Sequence, residues 1–186
     1  MIAGDALKLD PVNLSEPPRK IVANLPYNIA TALILGWFDR IREYESLTLM
    51  FQREVAERLT AEPRSKSYGR LSVLVQWVAE ARILFNVPAR AFVPPPKVTS
   101  SVVAIIPRVA PLAEATKSAL ERVTAAAFGQ RRKMLRASLK PLGIAIEPLI
   151  ERAGIAPMAR AEELSVVEFC ALARAAECAI NTPLGD

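Results

Sequence analysis

Ile21-Val22-Ala23-Asn24-Leu25-Pro26-Tyr27 reads as a short apolar strand that ends on a polar, stiffened loop. Ile21 and Val22 are β-branched and favour extended backbone, while Pro26 has no N–H to give a sheet ladder and so ends the strand. Pro26 also fixes its own φ and holds Leu25 extended, which aims the Leu25 carbonyl. Asn24 and that carbonyl put two acceptors side by side, and Tyr27 adds a ring face for stacking. The amino nitrogen of adenine is a poor nucleophile because its lone pair is delocalised into the ring. Two acceptors aimed at its N–H bonds draw that pair back, so the stretch suits presentation of an adenine amino group for methylation. Asn/Pro turns of this kind also end ordinary strands, so the decision rests on what stands nearby.

Outward from this stretch, the pattern predicts a strand over 20–24, a helix over 29–41 with Asn28 as its cap, a strand over 46–51 and a helix over 52–61. A short helix over 70–76 and strands over 80–87 and 99–107 follow. Pro107 to Pro111 reads as a linker. Beyond it, Ala, Leu, Glu and Arg at helical spacing predict helices over 114–128, 131–140, 146–152 and 165–179. The fold class expected is α/β followed by a small all-α part, with the boundary near residue 110: residues 1–110, then 111–186.

Two further segments carry candidate chemistry. In Phe92-Val93-Pro94-Pro95-Pro96-Lys97-Val98-Thr99-Ser100-Ser101, three prolines exclude helix and central strand, leaving a stiff extended segment that holds Phe92 with little entropy left to lose. Phe92 is the candidate second face of an aromatic clamp opposite Tyr27, around a base flipped out of its stack. Gly4-Asp5-Ala6-Leu7, after Met1-Ile2-Ala3, reads as the carboxyl end of a parallel strand, where open α/β sheets bind their ligands. Asp5 there can accept a hydrogen bond from the amino group of a cofactor adenine.

Composition narrows the classes. Histidine is absent, which removes His-based triads, His-ligated zinc and imidazole proton shuttles, and the zinc deaminase strings are missing too. No metal is expected. The 24 Lys and Arg against 19 Asp and Glu give a net charge of +5, which favours an anionic partner. Cys170 and Cys178 lie about 12 Å apart on one predicted helix at ~1.5 Å rise per residue, too far for a disulfide, and both are expected reduced and buried. Residues 21–38 carry no formal charge, but Asn24, Pro26, Asn28 and Thr31 interrupt the run, so no membrane span is expected. The N-terminus lacks a basic region followed by an apolar stretch, and a cytoplasmic location is expected. Arg131, Arg132, Lys133, Arg136 and Lys140 form a basic run, and a helix over 131–140 would stack 132, 136 and 140 on one face to follow a phosphate backbone. Arg64, Lys66 and Arg70 around Tyr68-Gly69 make a candidate second contact loop.

Together with Gln52-Arg53-Glu54-Val55-Ala56-Glu57-Arg58-Leu59, Tyr68-Gly69-Arg70-Leu71-Ser72-Val73 and Phe128-Gly129-Gln130-Arg131-Arg132-Lys133-Met134-Leu135-Arg136, these strings resemble the bacterial small-subunit ribosomal RNA adenine dimethyltransferase (KsgA) family, in order and over essentially the whole chain. The resemblance implies a Rossmann-like methyltransferase domain with a helical RNA-binding part. It implies transfer of methyl groups from S-adenosylmethionine to the amino nitrogens of two adjacent adenosines near the 3′ end of small-subunit rRNA, on the immature subunit. Asn24, Leu25 and Pro26 would then hold the target amino group and Tyr27 and Phe92 would sandwich its base, while Asp5, Ala6 and the Asn24 carbonyl would meet the cofactor. The chain is expected to act as a monomer. Positioning, not a strong base, would supply most of the rate, which suits a chain without histidine. Ala32 stands where many relatives have proline, a departure expected to alter helix entry and leave the chemistry alone.

A Rossmann-like methyltransferase opens with a strand and a Gly-rich loop. None of the seven glycines forms such a loop, so on the order of 60 residues are expected to be missing at ~30 per βαβ unit, and weak or no cofactor binding by this polypeptide is expected. Two alternatives stay open: a non-catalytic rRNA-binding or ribosome-assembly factor, and a large-subunit rRNA adenine methyltransferase of the macrolide-resistance type.

Overall fold

The computed structural model describes residues 3–181. The chain gathers into two compact units, one made of the residues up to Thr60 with Val78–Val109, the other of Ala61–Trp77 with the residues from Ala110 on. The second unit thus takes in a segment that the sequence reading assigns to the α/β part.

The first unit is built on a four-stranded sheet in the order β1 (Lys20–Asn24), β2 (Ser46–Gln52), β4 (Ser100–Pro107) and β3 (Ala79–Val87). β1 and β2 are parallel, with Asn24 opposite Met50. β4 runs antiparallel to both its neighbours, with Ser100 opposite Gln52 on one side and Val87 on the other. Parallel neighbours need a crossover, and α1 (Ala30–Trp37), continued by a 3-10 helix over Phe38–Glu43, supplies it between β1 and β2. α2 (Arg53–Thr60) follows β2 directly and carries Arg53–Glu57 and Arg58–Glu54 pairs one turn apart on its exposed side. Leu47, Leu49 and Phe51 of β2, Ile34 of α1, Leu59 of α2 and Val103 and Ile105 of β4 are fully buried and form the core. These alternate along β2 and β4 because successive strand residues face opposite sides of the sheet.

The predicted elements agree closely with those observed in this unit, with three differences. The helix after β1 stops at Trp37 and tightens to 3-10 geometry, and Asn28 does not cap it: the Pro26 carbonyl accepts from the Ile29 and Ala30 amides instead. The strand expected over residues 1–3 falls largely on Met1 and Ile2, outside the described residues, and Ala3 is not in a strand. Gly4-Asp5-Ala6-Leu7 is a turn, because the Asp5 carbonyl accepts from Lys8 and Leu9 and its carboxylate from the Leu7 amide at 3.0 Å.

The second unit is helical: α3 (Arg70–Val78), α4 (Lys117–Gly129), α5 (Leu135–Ser138), α6 (Ile146–Arg152) and α7 (Val166–Asn181). Thr116 caps α4, and Ser165 and Glu168 make reciprocal bonds at the start of α7, satisfying amides that a helix leaves open. α6 ends at Gly154, whose φ of +68° only glycine adopts without strain. In this unit Phe128 meets the Tyr68 ring edge to face and the Phe169 ring at a tilt, with ring centroids 6.0 and 5.4 Å apart. Cys170 is buried, whereas Cys178, expected buried as well, is exposed near the end of α7. No helix among the described residues is long and apolar enough to cross a membrane.

Candidate functional site

Register places the candidate residues at one end of the sheet. Pairing of Asn24 with Met50, Gln52 with Ser100 and Ser100 with Val87 brings together the carboxyl ends of β1, β2 and β3 and the start of β4. The loop Leu25–Ile29 leaves the sheet there, as do α2 and the Pro88–Thr99 connection that contains Phe92. The Arg53 amide donates to the Thr99 carbonyl at 2.9 Å, tying the start of α2 to the end of that connection.

Within the loop, burial alternates in a useful way. Asn24 is exposed, Leu25 is buried at 6% exposure, and Pro26 is exposed again. The Leu25 side chain therefore anchors the loop in the core while its neighbours face outward. The Pro26 carbonyl, engaged by the Ile29 and Ala30 amides at the start of α1, fixes the loop from its other side. Tyr27 is half-buried, and its hydroxyl lies 2.6 Å from the buried Ser100 hydroxyl at the start of β4. That bond locks the orientation of the Tyr27 ring. Ser100 is a positioning residue that sequence reasoning missed; it lay inside the quoted proline-rich string without a role, since nothing local marks a serine 73 positions from its partner. Next to it, the Ser101 hydroxyl donates to the Asn86 side-chain oxygen at 2.7 Å, so β4 and β3 are pinned at the same end. Phe92 is half-buried after a 3-10 turn over Ala89–Ala91. Among the described residues no ring contact joins Phe92 to Tyr27, so the two aromatics are carried to the same end of the sheet without touching.

Asp5 and Ala6 belong to the turn before the 3-10 helix over Pro11–Leu14. Residues Ala6 to Asp10 line a cavity of about 240 Å³ with Ala32, Trp37, Arg40 and Tyr44, along α1 and the 3-10 helix after it. Asp10 pairs with Arg40 at 2.6 Å, and the Val12 amide and that guanidinium hold its carboxyl below the usual carboxylate range. Asp5 already accepts from Leu7 and pairs with Lys8 at 3.9 Å. No recorded contact joins Asp5 or Ala6 to Asn24 among the described residues.

The basic segment departs from the helix expected over 131–140. Residues 131–134 form a turn, because Met134 bridges to Arg160 and the Leu135 amide donates to the Ala159 carbonyl; helix resumes only at Leu135–Ser138. A single face carrying 132, 136 and 140 is therefore not formed. Arg132, Lys133, Arg136 and Lys140 are exposed. Arg131 instead turns inward: Nε donates to Glu162 at 2.8 Å, and its two terminal nitrogens donate to the Lys66 and Ser65 carbonyls at 2.7 and 3.0 Å. Among the described residues no group of three or more Cys, Asp or Glu is arranged to hold a metal ion.

The family model for "Ribosomal RNA adenine dimethylase" matches residues 1–177. This chain belongs to that family. Among curated relatives, the "Ribosomal RNA small subunit methyltransferase A" of Paramagnetospirillum magneticum is 65% identical over 175 residues, covering 94% of this chain and 62% of that protein. The protein of the same name from Rhodospirillum rubrum is 59% identical over 178 residues, covering 96% of this chain and 62% of its own length. The chain thus spans about 62% of the length of the curated relatives it matches. Its fold is that of a dimethyladenosine transferase from Plasmodium falciparum, with a TM-score of 0.73 at 24% identity over 92% of this chain and 70% of that one. The 23S rRNA methyltransferase ErmE shares the fold at a TM-score of 0.64 and 23% identity, covering 95% of this chain and 71% of that chain. The α/β class and the Rossmann-like sheet of a methyltransferase expected from sequence both hold.

Proposed function

We propose that this chain supplies the target-base and RNA-binding portions of an S-adenosylmethionine-dependent enzyme that dimethylates the amino groups of two adjacent adenosines near the 3′ end of small-subunit rRNA. The observation that carries the reading is the loop after β1, where a buried Leu25 and the Tyr27–Ser100 bond hold an exposed Asn24 beside a fixed ring. Such a loop is organised before any ligand arrives, which is the condition for electrostatic positioning to accelerate a reaction. In this reading the Asn24 side-chain oxygen and the Leu25 carbonyl accept from the target amino group, Tyr27 stacks on one face of the flipped base and Phe92 closes on the other. The partner is small-subunit rRNA on the immature subunit, the setting is the cytoplasm, and the protein works as a monomer.

The fit to S-adenosylmethionine is partial. Asn24 is exposed and would hold the methionine portion, but the Asp5 carboxylate is taken up by its own turn, and the described glycines sit in helices and turns without forming a Gly-rich loop after a strand. These residues do not make a complete cofactor site. The division into an α/β part and a helical RNA-binding part completes the proposal, with Arg132, Lys133, Arg136 and Lys140 facing phosphates.

The test is a methyl-transfer assay on small subunits that lack the modification, using this chain and a version extended at its N-terminus with the corresponding region of the Paramagnetospirillum relative. Transfer to two adjacent adenosines by the extended protein is expected. RNA binding by both versions with no transfer by either would favour the assembly-factor reading.

A further inference from the structure

We propose that Arg131 is a clasp, not an RNA ligand, and that it joins two basic segments far apart in sequence into one phosphate-binding surface. The inference rests on the RNA-binding reading above and concerns the helical unit alone. Arg131 spends its guanidinium on three acceptors, the Glu162 carboxylate and the backbone carbonyls of Ser65 and Lys66. Charge-assisted bonds from a planar fork fix direction as well as distance. The backbone of residues 65 and 66 is thereby held against the chain at 131, so that exposed Lys66 and Arg64 flank one side of the clasp and exposed Arg132 and Lys133 the other. Glu162 serves both sides: its carboxylate binds Arg131 and its carbonyl accepts from the Arg64 amide at 2.6 Å.

The loop would not hold this shape unaided. Arg64 has a φ of +71°, a left-handed conformation that arginine adopts only where surrounding bonds impose it. Bonds of Ser65 and Tyr68 within the loop close it, and the buried Tyr68 ring fixes its far end. The Met134–Arg160 bridge adds a third exposed arginine, Arg160, to the same neighbourhood. Of the carboxylates in this neighbourhood, Glu162 is occupied by Arg131, Glu163 accepts from the Arg160 amide, Glu168, whose charge reaches Tyr68, accepts from Ser165, and Glu62 lies at the start of the loop. Among the described residues no ion pair is recorded for Arg64, Lys66, Arg132, Lys133 or Arg160. A cluster of cations without carboxylate partners, set on backbone that a half-buried clasp holds still, suits a phosphate chain.

The experiment compares the wild type with R131Q, R131K and the R64A/K66A pair, using a labelled 20-nucleotide RNA hairpin titrated between 50 and 200 mM salt. Each phosphate contact contributes roughly 0.7–0.9 to the slope of log affinity against log salt. R64A/K66A is expected to lower the slope by about 1.5, R131Q by nearly as much, and the R64A/K66A/R131Q triple by no more than the pair. R131K keeps the charge but cannot bridge three acceptors, so it should behave like R131Q; a wild-type slope in R131K, or additive losses in the triple, would make Arg131 a direct phosphate ligand and overturn the clasp. A readout without RNA keeps the two readings apart. Trypsin cleavage after Arg64 and Lys66 and exchange of the Arg64 and Tyr68 amides should both rise in R131Q and R131K while α4 and α7 stay protected. Unchanged protection of the loop would refute the clasp even if RNA binds, whereas loosening of the loop in a protein that binds no RNA would retain the clasp and refute the RNA surface.

Discussion

β1 and β2 are adjacent, parallel and both rich in apolar residues, yet they end up in opposite environments. Leu47, Leu49 and Phe51 of β2 are fully buried, whereas Val22 at the centre of β1 is 79% exposed. The difference comes from neighbours. β2 lies between β1 and β4, while β1 pairs on one side only among the described residues. Apolar composition is enough to make a strand; burial needs partners on its edges and faces. The candidate site hangs from the carboxyl end of the less protected strand, and its rigidity comes from anchors outside β1: Leu25 in the core, the Ile29 and Ala30 amides on Pro26, and Ser100 on Tyr27.

The contrast can be broken most directly by truncation. Phe51→Ala should cost about 3–5 kcal/mol in urea unfolding, while Val22→Ala should stay within about 0.5 kcal/mol. Equal losses would mean that β1 is as well covered as β2. At the site, Asn24→Ala in the extended protein should leave the unfolding midpoint unchanged, because the side chain is exposed, but lower methyl transfer by about 100-fold or more. Activity within about threefold of wild type would remove Asn24 from the acceptor role. Tyr27→Phe keeps the ring and loses the bond to Ser100, so a stability loss of about 1 kcal/mol with a modest fall in transfer is expected, and Tyr27→Ala should cost clearly more activity.

The smallest effect extends the burial contrast to the helical unit. Burial pushes the Cys170 thiol from 9.0 up to about 11, so the folded state holds the proton more tightly than the unfolded chain. Its contribution is complete below about pH 9 and declines as pH rises toward about 11. Urea midpoints should fall across that window, and Cys170→Ala should make the fall shallower. Part of the fall will remain, since burial raises the buried Tyr68 phenol as well.

Much of the fold was legible along the chain because its signals are local. The β-branched run before Asn24, the alternation in Leu47-Thr48-Leu49-Met50-Phe51 and the helical spacing after Thr116 each specify an element within a few residues. The helix expected over 131–140 failed for a non-local reason: Met134 and Leu135 bond to Arg160 and Ala159, some 25 residues on, and those bonds draw 131–134 into a turn. Asn28 failed as a cap because the Pro26 carbonyl already meets the first amides of α1.

Sequence by itself determined the element types, the Asn24–Tyr27 loop at the end of a strand, and, through the ordered motifs, the family. Tertiary structure alone decided that Tyr27 is locked by Ser100, that Ala61–Trp77 packs in the helical unit, and that Arg131 binds protein at all three of its recorded bonds. Backbone preference and hydrophobic period act over a turn or a few strand residues. The partner of a hydroxyl or a guanidinium is chosen by whatever the fold brings within about 3 Å, and that distance has no counterpart along the chain.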